Sequence, residues 1–150
     1  MHEIHLKGPK KAVYMVYQNL DRCDPPDITH EEGTDDSFVM HFMHYTKYDA
    51  YPNEHRWGET DSWDGAPIDL TGIPLEDILA NKYTFTYADH DLAALSGMFG
   101  VEIELLHTWD DMGDGEEWEN GPVYPFFAYA NGKVIRNEEL DSDDPEAFSF

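Results

Sequence analysis

The chain has 150 residues, of which 32 are acidic and 9 are Lys or Arg, for a formal charge of −23. That balance argues against direct contact with nucleic-acid phosphates or an anionic membrane surface, since both call for a basic face. With 41% hydrophobic and 14% aromatic residues the chain still has material for a real core, so it is not an acidic disordered tail.

Residues 3–7, EIHLK, alternate and meet Gly8-Pro9, which predicts a short strand followed by a helix whose first turn holds the proline. KKAVYMVYQNLDR places Val13, Val16, Tyr17 and Leu20 at helical spacing, and the prolines of CDPPD stop it. Residues 24–36 read as a loop. SFVMHFMHYTKY, residues 37–48, reads as an interior strand that is apolar on both faces. Residues 49–82 are rich in Pro and Gly and read as an ordered insertion with one helical turn at PLEDILA.

KYTFTYA, residues 82–88, alternates as a strand, with Tyr83, Phe85 and Tyr87 on one face. Asp89 is placed to cap a helix over DLAALSGMF, with Leu92, Leu95 and Phe99 inward and Gly100 as its stop. VEIELLHTW follows as a strand with Val101, Ile103, Leu105, His107 and Trp109 inward and Glu102 and Glu104 outward. After an acidic loop, VYPFFAYANGKVIRNEEL predicts a hairpin about Asn131-Gly132. Residues 141–150 read as a mobile tail.

The order β-α-β, insertion, β-α-β-β predicts an α+β class. It is a ferredoxin-like antiparallel sheet with two helices on one face and a mid-chain insertion, forming a single domain over residues 1–150. Cys23 is the only cysteine, which excludes an intrachain disulfide and suits a reducing compartment. No stretch approaches the roughly 20 apolar residues of a membrane span, so the expected location is the cytoplasm.

The strand running into Gly8-Pro9-Lys10, the pair Trp57-Gly58 with Trp63, the segment FTYADHDLAALSGMFGVEIEL, and YANGKVI together resemble the YubB ferredoxin-like family of phage and plasmid accessory proteins. The likeness spans roughly residues 1–140. It implies a ferredoxin-like fold and a mobile-element setting, with the host cytoplasm as the location, and carries over no catalytic residue.

Two acidic segments are the candidate partner-binding surfaces. In the insertion, Trp57 and Trp63 stand among Asp49, Glu54, Glu59, Asp61 and Asp64, and aromatic faces beside carboxylates suit an incoming Arg or Lys. The bland account of the same tryptophans is that they pin the insertion to the sheet. The second segment is the loop carrying Asp110, Asp111, Asp114, Glu116, Glu117 and Glu119. Close-set oxygens are what Ca²⁺ or Mg²⁺ takes, but Met112 and Gly121 occupy positions where an EF-hand loop needs carboxylates, so a solvated loop is the plainer account.

His41 and His44 fall on opposite faces of one strand and do not share a metal. No HExxH, GxSxG, GxxxxGK[ST] or GxGxxG occurs, and Cys23 lies between Asp21 and Asp24, which dull a thiol. No catalytic, metal or cofactor site is therefore assigned. The expected function is a non-enzymatic interaction protein. It would be a phage-type inhibitor or nucleic-acid mimic that engages a basic nucleic-acid-binding partner, such as a host defence nuclease or CRISPR complex. The alternative is a metal- or small-ligand-binding accessory protein, or an enzyme, using the loop over residues 110–119. Salt adaptation also produces acidic, lysine-poor surfaces and stands as a third explanation.

Overall fold

Six strands form one antiparallel sheet in the order β2-β3-β1-β4-β5-β6. A computed structural model describes residues 2–20, 27–44, 67–80, 92–107, 124–140 and 145–150. In chain order the elements are β1 (His2–Gly8), α1 (Lys10–Leu20), β2 (Asp27–Gly33), β3 (Phe38–His44), α2 (Leu75–Leu79), α3 (Leu92–Phe99), β4 (Glu102–His107), β5 (Tyr124–Ala130) and β6 (Lys133–Leu140). The inner order β2-β3-β1-β4 is that of two interleaved β-α-β units, so the ferredoxin-like α+β expectation holds. The hairpin β5-β6 extends the sheet beyond β4, and to that extent the strand order departs from a strict ferredoxin-like sheet.

One face of the sheet is the core. Alternation sends Ile4 and Leu6 of β1, Phe38, Met40 and Phe42 of β3, Ile103 and Leu105 of β4, and Phe127 and Tyr129 of β5 to the same side. There they meet Val13, Met15, Val16 and Leu20 of α1 and Leu92, Leu95, Met98 and Phe99 of α3. A fully buried side chain of this kind contributes roughly 1.5–3 kcal/mol relative to exposure. The helical turn read at PLEDILA is α2; it packs on α1 and places Ile78 in this core, which Leu70 also joins.

Local signals in the sequence account for several joints. Asn131 and Gly132 both have positive φ, 54° and 80°, the pair of left-handed residues that a type I′ hairpin requires. Gly100 ends α3 at φ 65°, and the Val101 N–H reaches back to the Ser96 carbonyl at 3.1 Å, closing a Schellman motif.

One expectation changes. Residues 24–36 read as loop, yet Asp27–Gly33 pairs with β3 as the edge strand β2, which makes the strand at Phe38–His44 the third rather than the second. An edge strand has one neighbour and one solvent side, so DITHEEG forms it despite low β-propensity, with a register shift between Ile28 and His30. Of the segment read as a tail over 141–150, residues 145–150 lie against the sheet, beginning with a 3₁₀ turn at Pro145–Ala147. The expected strand over 82–88 and the Asp89 cap lie outside the described residues. Among the described residues no helix is long and apolar enough to cross a membrane.

Candidate functional site: a polar row across the open face

The alternation that fills the core must send the intervening residues to the other face, where the described residues place no α-helix. The registers align them. His30 of β2 stands opposite His41 of β3, His41 opposite His5 of β1, His5 opposite Glu104 of β4, Glu104 opposite Ala128 of β5, and Ala128 opposite Arg136 of β6. A single row thus crosses all six strands and reads His-His-His-Glu-Ala-Arg.

The row's members interact closely. His5 and His41 stack with ring centroids 3.5 Å apart and planes 10° off parallel, and His30 tilts against His41 at 4.9 Å. His5 Nε2 lies 3.0 Å from Glu3 Oε1. Because Ala128 is small, Arg136 reaches over it. Its Nη1 comes to 3.7 Å from Glu104 Oε2, its Nη2 donates to Glu138 at 2.5 Å, and its guanidinium lies 4.4 Å above the Phe126 ring.

Burial sets the electrostatics. Burial of the His41 ring, reinforced by neighbouring His5 and His30, lowers its pKa from 6.5 to about 4, against a smaller opposing pull from the Phe150 main chain and Glu32. Its Nε2 is buried with no hydrogen-bond partner among the described residues. Face-to-face stacking keeps the histidine nitrogens from converging on one point, and among the described residues no group of His, Cys, Asp or Glu is arranged to hold a metal ion.

Residues 145–150 cover the middle of the row. Arg136 Nη1 donates to the Ala147 carbonyl at 3.0 Å. The Ser149 N–H donates to Glu104 Oε1 at 2.7 Å and its hydroxyl to Oε2 at 2.9 Å. His5 Nδ1 donates to the Phe150 main-chain oxygen at 2.7 Å. Phe148 stacks on His5 at 3.5 Å, so that ring is sandwiched between Phe148 and His41. Phe148 also meets Phe126 edge-on at 5.3 Å, joining the small apolar cluster of Leu106, Phe126 and Ala128. The strand pattern turns Glu104 toward solvent, yet it is only 3% exposed, because this segment lies over it.

Asp49, Glu54, Trp57, Glu59, Asp61, Trp63, Asp64, Asp110, Asp111, Asp114, Glu116, Glu117 and Glu119 fall outside the described residues. The row itself leaves a sequence signal. His5 sits between Ile4 and Leu6, and His41 between Met40 and Phe42, so in a strand each belongs to the face opposite the core. That the two faces coincide, and that Glu104 and Arg136 join them, is information held only in strand pairing.

Among the described residues, exposed acids concentrate at the β2 edge. Residues 28–37 are exposed throughout and include Glu31, Glu32, Asp35 and Asp36 with no Lys or Arg. The edge is shaped by Gly33, whose φ of 122° places a hypothetical Cβ 2.2 Å from the Ser37 carbonyl, so only glycine fits. Tyr14 of α1 donates its hydroxyl to Glu31 and ties the edge to the helix layer. Burial, followed by that carboxylate, pushes the Tyr14 pKa upward.

The fold and face together define an α+β sheet protein with one polar face that no described α-helix covers and one acidic edge. No protein-family model, curated protein or solved structure matches the chain.

Proposed function

We propose that the protein is a non-enzymatic, acidic interaction module that works in the cytoplasm by occupying a basic surface of a nucleic-acid-binding protein. The observation that carries this reading is the β2 edge. Glu31, Glu32, Asp35 and Asp36 are exposed on an ordered strand and turn without a Lys or Arg in that segment, within a chain of net charge −23. Carboxylates spaced along a strand and its turn present acceptors to Arg and Lys, and a field of this sign speeds the encounter. The partner we propose is a host defence nuclease or CRISPR complex, whose basic nucleic-acid-binding surfaces suit the charge of −23, in the mobile-element setting that the sequence resemblance implies.

The test is binding to a panel of such complexes at two ionic strengths. Affinity for the partner should fall at least about tenfold between roughly 50 and 200 mM salt. Replacing Glu31, Glu32, Asp35 and Asp36 together by their amides should weaken it further. No binding at low salt, or binding indifferent to salt, would reject the proposal.

A further inference from the structure

The docked segment and the row beneath it have a complementary chemistry that a structural strap does not require. Apolar residues would cover a sheet face at lower cost than a buried carboxyl, whose transfer from water is unfavourable unless hydrogen bonds replace those lost. Glu104 is buried, and the N–H and hydroxyl of Ser149 meet its two oxygens. Arg136 and His5 contact main-chain oxygens on either side of the Phe148-Ser149 pair, those of Ala147 and Phe150 respectively. Main-chain recognition of this kind is indifferent to sequence, whereas the Phe148 ring on His5 and the Ser149 hydroxyl on Glu104 are specific to their side chains.

We propose that the open face is a groove for a peptide carrying an aromatic-serine pair, and that residues 147–150 occupy it in cis as a displaceable latch. The polar row makes the latch reversible. When the segment lifts, Glu104, His5 and Arg136 gain water in place of the lost hydrogen bonds, so opening leaves no buried unsatisfied group among them. The contacts of Phe148 with His5 and Phe126 are the apolar part of the latch and are also given up on opening. The segment also forms no strand pairing with the sheet, and Ser149 remains exposed while bonded, as expected of a part that docks without joining the ladder. A partner peptide carrying the same pattern would take the same contacts. This goes beyond the acidic edge of the proposed function, because it concerns a different face and a different ligand.

The test uses the full chain and a labelled synthetic peptide of sequence Glu-Ala-Phe-Ser-Phe. In the wild-type protein the tethered segment competes at high effective concentration and binding should be weak. The Ser149→Asp variant sets a carboxylate against Glu104, lifts the latch and leaves the groove intact. It should bind the peptide at least about tenfold more tightly, and adding Arg136→Ala should remove the gain. A folded Ser149→Asp protein that binds no better than wild type overturns the proposal. A Ser149→Asp protein that forms peptide-sensitive dimers overturns the cis assignment, since the groove then takes the segment of a second copy. Hydrogen exchange of the wild-type protein decides the matter independently of any variant. The Ser149 amide should exchange at least about 100-fold faster than the Phe42 and Leu105 amides, through local opening. Equal protection would mean that the segment opens only with the whole fold, and would overturn the proposal.

Discussion

The two faces of the sheet are made by the same strands and solve different problems. The helix-covered face is filled by Ile4, Phe42, Ile103 and Tyr129 and relies on close packing, which is non-directional and unforgiving of lost volume. The open face carries His5, His41, Glu104 and Arg136 and relies on directional hydrogen bonds to a short segment, which water replaces when they break. Because side chains alternate, one strand can hold a permanent contact on one side and an exchangeable one on the other.

Four measurements probe this contrast. The largest effect should come from the packed face. Phe42→Ala removes a fully buried ring, and chemical denaturation should show a loss of about 3–5 kcal/mol. A loss below about 1 kcal/mol would mean that this face is not the core it is described to be. On the open face, Glu104→Ala leaves the Ser149 donors to find water, so the same measurement should show a smaller loss, about 1–3 kcal/mol. Equal losses for the two variants would erase the distinction between the faces.

The third measurement is stability against pH. Folding holds His41 near a pKa of about 4, below the ordinary 6.5. As pH falls from 6.5 toward 4, the unfolded chain takes up a proton there that the folded protein refuses. Stability is therefore full above the unfolded value and declines through that window. The decline owed to His41 should be about 1–2 kcal/mol, less than the full linkage value because the ring is only partly buried. Glu3 and His5 of β1, His30 and Glu32 of β2 and Glu104 of β4 lie in the same four-strand neighbourhood, so the contribution is read as the difference between wild type and His41→Phe. An unchanged slope in the variant would remove His41 from the account. The smallest effect should come from Tyr14→Phe at the acidic edge. Loss of its bond to the exposed Glu31 should cost about 0.5 kcal/mol by denaturation and leave the circular dichroism spectrum unchanged.

What can be read from the chain varies with the range over which the information acts. Period-2 and period-3.6 patterns mark β1, α1, β3, α3 and β4, and Asn131-Gly132 marks the β5-β6 turn, because each signal lies within a few residues. The same reasoning misses β2, since an edge strand draws its order from β3 rather than from its own composition. It misses the candidate site for a related reason. Dense acidic runs attract attention in a sequence, whereas the row is assembled from one residue per strand.

Local periodicity and turn chemistry are thus enough for the class of the fold, the positions of most elements and the apolar faces of β1 and β4, and composition alone sets the acidic character. They do not reach the alignment of His30, His41, His5, Glu104 and Arg136 on one line, nor the placing of Ala147–Phe150 across it, both of which belong to the tertiary structure. Register is a relation between strands distant in the chain, and a slip of one residue in any strand would send that strand's member of the row to the other face.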